Sequence, residues 1–369
     1  MFKRGLFFVF LALMALAGFF AGFDFLEGST ANIIYEDPRS KNIKENLPPK
    51  SGANLFDPAS LTWTQANPAP WPKRDSQAVF IFNDKLWLTG GLDADEAKVN
   101  GLPDYSRAKY YNDIWSSEDG LNWKREKEHA NYPPIRSSSI FYFKDSLFMA
   151  GGWSARDAYR NGIWQSQDGV NWKKVISRPQ YEEREGQKVL EFDGKMWLIG
   201  GVNYDKQKTF NDVWFSEDGL NWKLATSSAP WRSRWDHDIA AHKDKLWLMG
   251  GMNFNGVSYA DVWSSSDGRN WELVQDNALW GKRQGLGAAT FKDLMWVVSG
   301  LNAATNQGAG DAWYSSDGSA WQKTNIDGSW LGREDHAVVV FKNKIWTLGG
   351  MDSDWHWNND VWHSDFSQK

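Results

Sequence analysis

Arg74, Arg136, Arg184, Arg234, Arg283 and Arg333 stand in matching surroundings, each shortly ahead of a pair of short apolar runs. A guanidinium presents a planar fork of donors that recognises a carboxylate or phosphate through two parallel hydrogen bonds. Brought to one place, six of them would make an anion-binding ring. The same side chains can instead be tied up by acids. Asp75, Glu185 and Glu334 lie beside an Arg, and Asp113, Asp212, Asp261, Asp311 and Asp360 form a second recurring set. Arg136 has the fewest such partners, because Ser137-Ser138-Ser139 follows it and Gly162 stands where the second set would place an Asp.

The position three after each Arg varies: Gln77, Ser139, Gln187, His237, Leu286, His336. Variation inside a fixed frame is what a binding surface shows. Arg234-Trp235-Asp236-His237 and Arg333-Glu334-Asp335-His336 set an imidazole beside carboxylates, which makes His237 with Asp236, and His336 with Asp335, weak candidates for acid–base work. His356 is a third imidazole within reach, but the three belong to units four and six, which are not adjacent, so no metal site and no cofactor are expected. With no Cys, thiolate ligands, Cys nucleophiles and disulfides are excluded. A balance of 41 Lys and Arg against 46 Asp and Glu argues against a nucleic-acid partner.

These residues ride on a repeat. Glycine pairs at 90–91, 151–152, 200–201, 250–251 and 349–350, with Ser299-Gly300, succeed one another in steps of 61, 49, 50, 49 and 50 residues. Asp-Gly recurs at 119, 168, 218, 267 and 317, each time with a Trp three residues after the Gly. Periods of this size belong to propeller blades. In the first unit, strands are expected at 77–82 (a), 86–89 (b), from 113 (c) and at 121–124 (d). Asp119-Gly120 reads as a two-residue hairpin turn, which would put Trp115 and Trp123 on opposite faces. The sixth unit stops after its third strand, and residues 61–66 read like the missing fourth. They are expected to complete blade 6 and close the ring.

The Arg-x-x-Gln/His lead-in, the double glycine and the downstream Asp-Ile/Val-Trp resemble the kelch-repeat family of β-propellers, over roughly residues 61–369. The hairpins also resemble the Asp-box of sialidases. Departures are Ser299 for a glycine, Gly162 for the Asp, and Leu286 for Gln or His. The resemblance implies an all-β, six-bladed propeller of four-stranded blades, with ligands on the face carrying the lead-ins and the b–c loops. It does not extend to galactose oxidase chemistry, whose cofactor needs a Cys. Of 25 Trp, 21 follow the repeat: five in strand b, six in c, six in d, and Trp71, Trp231, Trp280 and Trp330 in the lead-ins. Trp153, Trp235, Trp355 and Trp357 do not, and all four map to that face. The ligand-binding candidates are therefore the six arginines, Gln77, Gln187 and these four Trp.

One loop stands out. From the second glycine to strand c the step is 22 residues in the first unit and 10 or 11 elsewhere, so residues 92–112 are expected to form a lid or a docking segment. At the N-terminus, Lys3 and Arg4 precede an uncharged stretch at 5–23, which reads as a signal peptide or a membrane anchor. An extended linker at 24–57 and a propeller at 58–369 follow. The expectation is an exported, non-catalytic recognition module for a glycan or protein segment, periplasmic, extracellular or tethered facing outward. A carbohydrate-active enzyme (epimerase, lyase or glycosidase) acting on an acidic sugar is the alternative, and a structural module at the cell surface is a second.

Overall fold

The computed structural model describes residues 56–154, 158–159, 162–302, 304–324 and 332–366. The expected leader (1–23), nearly all of the linker, and Trp330 lie outside the described residues. Strands alternate with turns all along the chain. In blade 1 they are a (Ala78–Phe82), b (Lys85–Thr89), c (Ile114–Ser117) and d (Trp123–Lys127), hydrogen-bonded in that order. The a–b turn is two residues long, with Asn83 and Asp84 both at positive φ, as the hairpin twist requires. The same order returns in blades 2 to 5, whose a strands are Ser139–Phe143, Lys188–Phe192, Asp238–His242 and Gly287–Phe291.

Blade 6 takes Ala337–Phe341, Lys344–Leu348 and Val361–Phe366 from one end of the chain and Leu61–Gln65 from the other. The closing pair runs antiparallel from Leu61↔Phe366 to Gln65↔Trp362, and Thr64 Oγ1 donates to Asp365 Oδ2 at 2.8 Å. Neighbouring a strands touch around the whole ring, blade 6 against blade 1 included. The fold is a closed six-bladed propeller, as its repeat predicts.

Its apolar core is divided into six wedges, one between each pair of adjacent blades. Large aromatic side chains suit these wedges because the gap between twisted sheets widens outward. Strand b contributes a repeated latch. The Trp87 indole donates to the Phe82 carbonyl at 3.0 Å and lies on Gly169 in the hairpin of blade 2, where a Cβ would collide with it. Trp197 on Gly268, Trp247 on Gly318 and Trp346 on Gly120 repeat the contact. Trp296 meets Leu61 and Trp63 of the closing strand instead.

The c–d hairpins correct the sequence reading. Ser117 pairs with Trp123, leaving a loop of five residues, 118–122. Asp119 Oδ1 accepts from the Leu121 and Asn122 amides at 2.9 and 2.7 Å, and Ser117 Oγ accepts from the Gly120 amide at 2.8 Å. These side-chain bonds hold a longer loop than the two-residue turn that Asp-Gly suggests. Trp115 and Trp123 consequently share one face and pack together in the wedge toward blade 6.

Ring closure carries a test. Trp63 is 5% exposed within the blade 5–blade 6 wedge. Trp63→Ala is expected to cost about 3–5 kcal/mol in chemical unfolding. Removing residues 1–66 leaves the Val361–Phe366 edge bare, and the product should self-associate on gel filtration. A monomeric truncated protein of unchanged stability would contradict the closure.

Candidate functional site: the channel mouth

Five of the six arginines are fastened inside their own blades. Arg74 donates to both oxygens of Asp113 at 2.7 and 2.8 Å and to the Gly90 carbonyl at 2.9 Å. The Trp115 indole donates to the same Asp at 2.8 Å. Arg184 with Asp212 and Trp214, Arg234 with Asp261 and Trp263, Arg283 with Asp311 and Trp313, and Arg333 with Asp360 and Trp362 repeat the arrangement. All five guanidinium side chains are buried, and among the described residues aromatic rings flank Arg74, Arg184, Arg234 and Arg283: Arg74 lies 4.2 Å from the Tyr111 centroid and Arg184 3.7 Å from that of Phe210. This ties the lead-in, the end of strand b and the start of strand c into one unit.

Blade 2 is built differently. Gly91 N donates to the Ile135 carbonyl, where the corresponding bonds in other blades reach an Arg carbonyl. Arg136 pairs with Trp153 as Asp75 pairs with Leu92 and Glu185 with Val202. Ile135, not Arg136, therefore occupies the framework position, and Gly162 replaces its Asp partner. The sequence carries the signal in its spacing. Framework Arg to first glycine is 16 residues in five units, but Arg136 to Gly151 is 15, whereas Ile135 to Gly151 is 16.

The position one after the framework residue thus holds Asp75, Arg136, Glu185, Trp235, Gln284 and Glu334. The next one holds Ser76, Ser137, Gly186, Asp236, Gly285 and Asp335, every one at positive φ. Their backbones bond from blade to blade: Ser76 N to Asp335 O at 2.9 Å, Ser137 N to Ser76 O at 2.8 Å, Gly186 N to Ser137 O at 3.2 Å, Gly285 N to Asp236 O at 2.9 Å and Asp335 N to Gly285 O at 3.0 Å. This belt narrows the channel and presents the side chains of both positions at its mouth.

Arg136 donates to Glu185 through Nε at 2.9 Å and Nη2 at 3.2 Å. Burial opposes its charge, but Glu185 prevails and holds the guanidinium well above its ordinary value. Across the mouth, burial and then the Asp335 and Glu334 charges push Asp75 well up, with Arg136 offsetting them in part. Asp236 is raised by burial and by the same two acids, against Lys188. Burial and then Asp335 push Glu334 up to about 8, and its Oε2 accepts from Gln284 Nε2 at 2.9 Å. Asp335 is also raised by burial, while Lys188 and Arg136 oppose the shift. Lys188 Nζ lies 3.5 Å from Asp238 Oδ1, one step further down the channel. Six carboxyl groups, with Glu185 and Asp238 counted, thus face two cations.

An aromatic arc borders this cluster. Tyr105 and Trp153 both face the Arg136 guanidinium, at 5.5 and 5.0 Å, and Tyr110 packs against Trp153 at 5.3 Å. Tyr204 meets Trp235 edge-on at 5.3 Å, and Phe254 lies beyond it. Tyr105 and Tyr110 come from the long first loop, whose Leu92, Ala94 and Ala97 are fastened to Met351 and Trp357 of blade 6. The loop therefore spans the mouth from blade 6 to blade 2.

Trp153 and Trp235 thus reach the mouth. Trp357 is wholly buried under the first loop and Trp355 packs on the same cluster. Gln77 and Gln187 turn away from the mouth, donating to the Leu348 and Ala150 carbonyls of the preceding blade at 2.8 and 2.9 Å. His237 and His336 occupy the same tie position, facing strand b of the preceding blade, while Asp236 and Asp335 face the channel. Burial, then Arg234, pushes His237 well down, and burial, then Arg333, takes His336 to about 3, so both rings stay neutral near pH 7. Imidazole and carboxylate are thereby parted, for neighbouring residues point to different sides of the chain. Among the described residues no three His, Asp or Glu side chains are grouped to hold a metal ion. Lys188, Tyr204 and Tyr159, whose hydroxyl lies 3.5 Å from Glu185 Oε1 and accepts from the Tyr204 amide at 2.6 Å, join the site without any motif to mark them.

Two measurements follow. Arg234→Met strands Asp261 in a buried position and should cost about 3–5 kcal/mol in urea unfolding. The pair Arg234→Ile with Asp261→Gly copies blade 2 and should recover much of that loss. For pH, Glu334 keeps a proton in the folded state that the unfolded chain releases above its ordinary value of 4.5. Its contribution is fully present below that value and is lost as pH rises toward about 8. Asp75, Asp236 and Asp335 add to it in the same sense, opposed by Arg136 and Lys188. Thermal midpoints should fall between pH 5 and pH 8, and Glu334→Gln should flatten the slope.

No protein-family model matches the chain, and no curated protein matches it in sequence. The solved structure of YjhT is similar in fold, with a TM-score of 0.62 and 14% identity over 80% of this chain and 96% of that one. At that identity the likeness concerns architecture alone: six four-stranded blades closed into a ring.

Proposed function

We propose that this is a kelch-type recognition propeller, exported by its N-terminal segment, that binds a glycan at the channel mouth under the first-blade loop. One observation supports this above the others. The framework position is Arg in five of six blades, whereas the next position, facing the mouth, carries Asp75, Arg136, Glu185, Trp235, Gln284 and Glu334. Identical scaffolding that presents unlike side chains to one recess is how a propeller builds a site. Carboxylates there accept hydrogen bonds from hydroxyls, and rigid aromatic faces cover the apolar side of a sugar ring at small entropic cost. The acid excess disfavours an acidic sugar. A protein segment is the other ligand this surface suits, and a purely structural module would have no use for a carboxyl-lined recess.

A second reading, a carbohydrate-active enzyme, is favoured by Glu334, which burial and the Asp335 charge push up to about 8, so that a protonated carboxyl stands beside a second acid near pH 7. Such pairs serve as general acid and base.

The test is a thermal-shift screen of the purified protein with neutral, amino and acidic oligosaccharides. A ligand at a hundredfold excess over Kd stabilises the fold by about 2.7 kcal/mol. The shift should vanish in Trp235→Ala and Arg136→Met. Shifts that survive both would move the site elsewhere. Turnover lost in Glu334→Gln with binding retained would select the enzyme.

A further inference from the structure

We propose that the ligand at the mouth is an amino sugar, whose protonated amine is held by Asp75. The inference rests on the reading of the mouth as a glycan site and adds the chemical class. Only two protein cations stand among the carboxyls there: Arg136, which donates to Glu185 through two hydrogen bonds, and Lys188, 3.5 Å from Asp238. The charges of Asp335 and Glu334 bear on Asp75 and Asp236, and Arg136 and Lys188 offset them only in part. Asp75 is 2% exposed, its backbone is pinned on both sides by bonds to Leu92, and its Oδ1 has no hydrogen-bond donor among the described residues. Such an oxygen, aimed at a cluster short of positive charge, is a place for a donor that arrives with the ligand.

An ammonium group supplies three donors and a full charge. The rim is already suited to cations, since the Tyr105 and Trp153 faces lie against Arg136. A lysine tip brings its ammonium group alone. An amino sugar brings hydroxyls as well, enough to engage Asp236 and Asp335 around the ring. Because no three acids converge on a metal-sized point among the described residues, the cation is one with an organic body.

The experiment is calorimetric titration of the full chain at pH 6.5 with 2-amino-2-deoxyglucose, its N-acetyl derivative, glucose and Nα-acetyl-lysine amide. The free amino sugar should bind at least tenfold more tightly than the acetylated form or glucose. Asp75→Asn should remove that preference while keeping or raising the thermal midpoint, because it relieves repulsion without changing shape. Affinity for the amino sugar should also rise from pH 5 to pH 7 as the carboxyls ionise. Equal binding of all three sugars, untouched by Asp75→Asn, overturns the amine assignment and leaves the glycan site standing. Binding of the lysine amide alone overturns the sugar in favour of a basic peptide. Sugar binding that persists in Trp235→Ala and Arg136→Met, or none at all, overturns the mouth itself as a glycan site.

Discussion

The buried pair of guanidinium and carboxylate, repeated in five blades, is the constraint on which the other features depend. Each Arg joins three stretches of one blade: its own lead-in, the carbonyl that ends strand b, and the Asp that opens strand c. The Asp accepts an indole hydrogen bond as well, which aims a strand c Trp. A buried ion pair adds little net stability over apolar packing, because desolvation offsets its attraction. What it gives here is placement. With the lead-in fixed, the two residues after the Arg must fall at the channel, and the belt of backbone bonds can form.

Blade 2 shows how a site arises from such a scaffold. Ile135 and Gly162 dispense with the pair together, so neither charge is left alone. Ile135 fills the space among Tyr132, Leu147 and Trp172. The arginine one residue later is then free of scaffold duty and meets Glu185 at the mouth. A one-residue shift therefore converts a structural cation into one that faces the channel. It also leaves a mouth in which acids outnumber bases, with protons held where ligand charge would otherwise sit.

Most of the architecture was readable because it is repeated. Five spaced glycine pairs and Ser299-Gly300 marked the blades, and the unpaired Leu61-Thr62-Trp63 marked the closing strand. The c–d loops misled because Asp119-Gly120 is also the signal of a tighter turn, and only the Ser117 and Asp119 side-chain bonds separate the two. The arginines were legible as a set but not in their role, since the acids named beside them were of two kinds, framework and channel. The register slip at Arg136 was visible as 15 against 16 residues, a difference easily absorbed by eye. The mouth itself was hardest. Its members come from six distant places, and whether Asp75 and Glu334 repel each other depends on a ring that only the closed structure supplies.

The closing strand also sets an order of events. Leu61–Gln65 is among the first parts of the propeller to be synthesised, and its partner Val361–Phe366 is the last. Thr64 and Asp365, bonded in the finished ring, are 301 residues apart along the chain. Blades 1 to 5 are made of local hairpins and can assemble as each emerges, but the sixth cannot exist until Val361–Phe366 has been made. Contacts of such long range form late, because the intervening loop must be closed first. Until then both ends of the ring stay open, and the unfinished arc exposes sheet edges prone to sticking. A chain assembled in this way stays an open arc until Val361–Phe366 meets Leu61–Gln65.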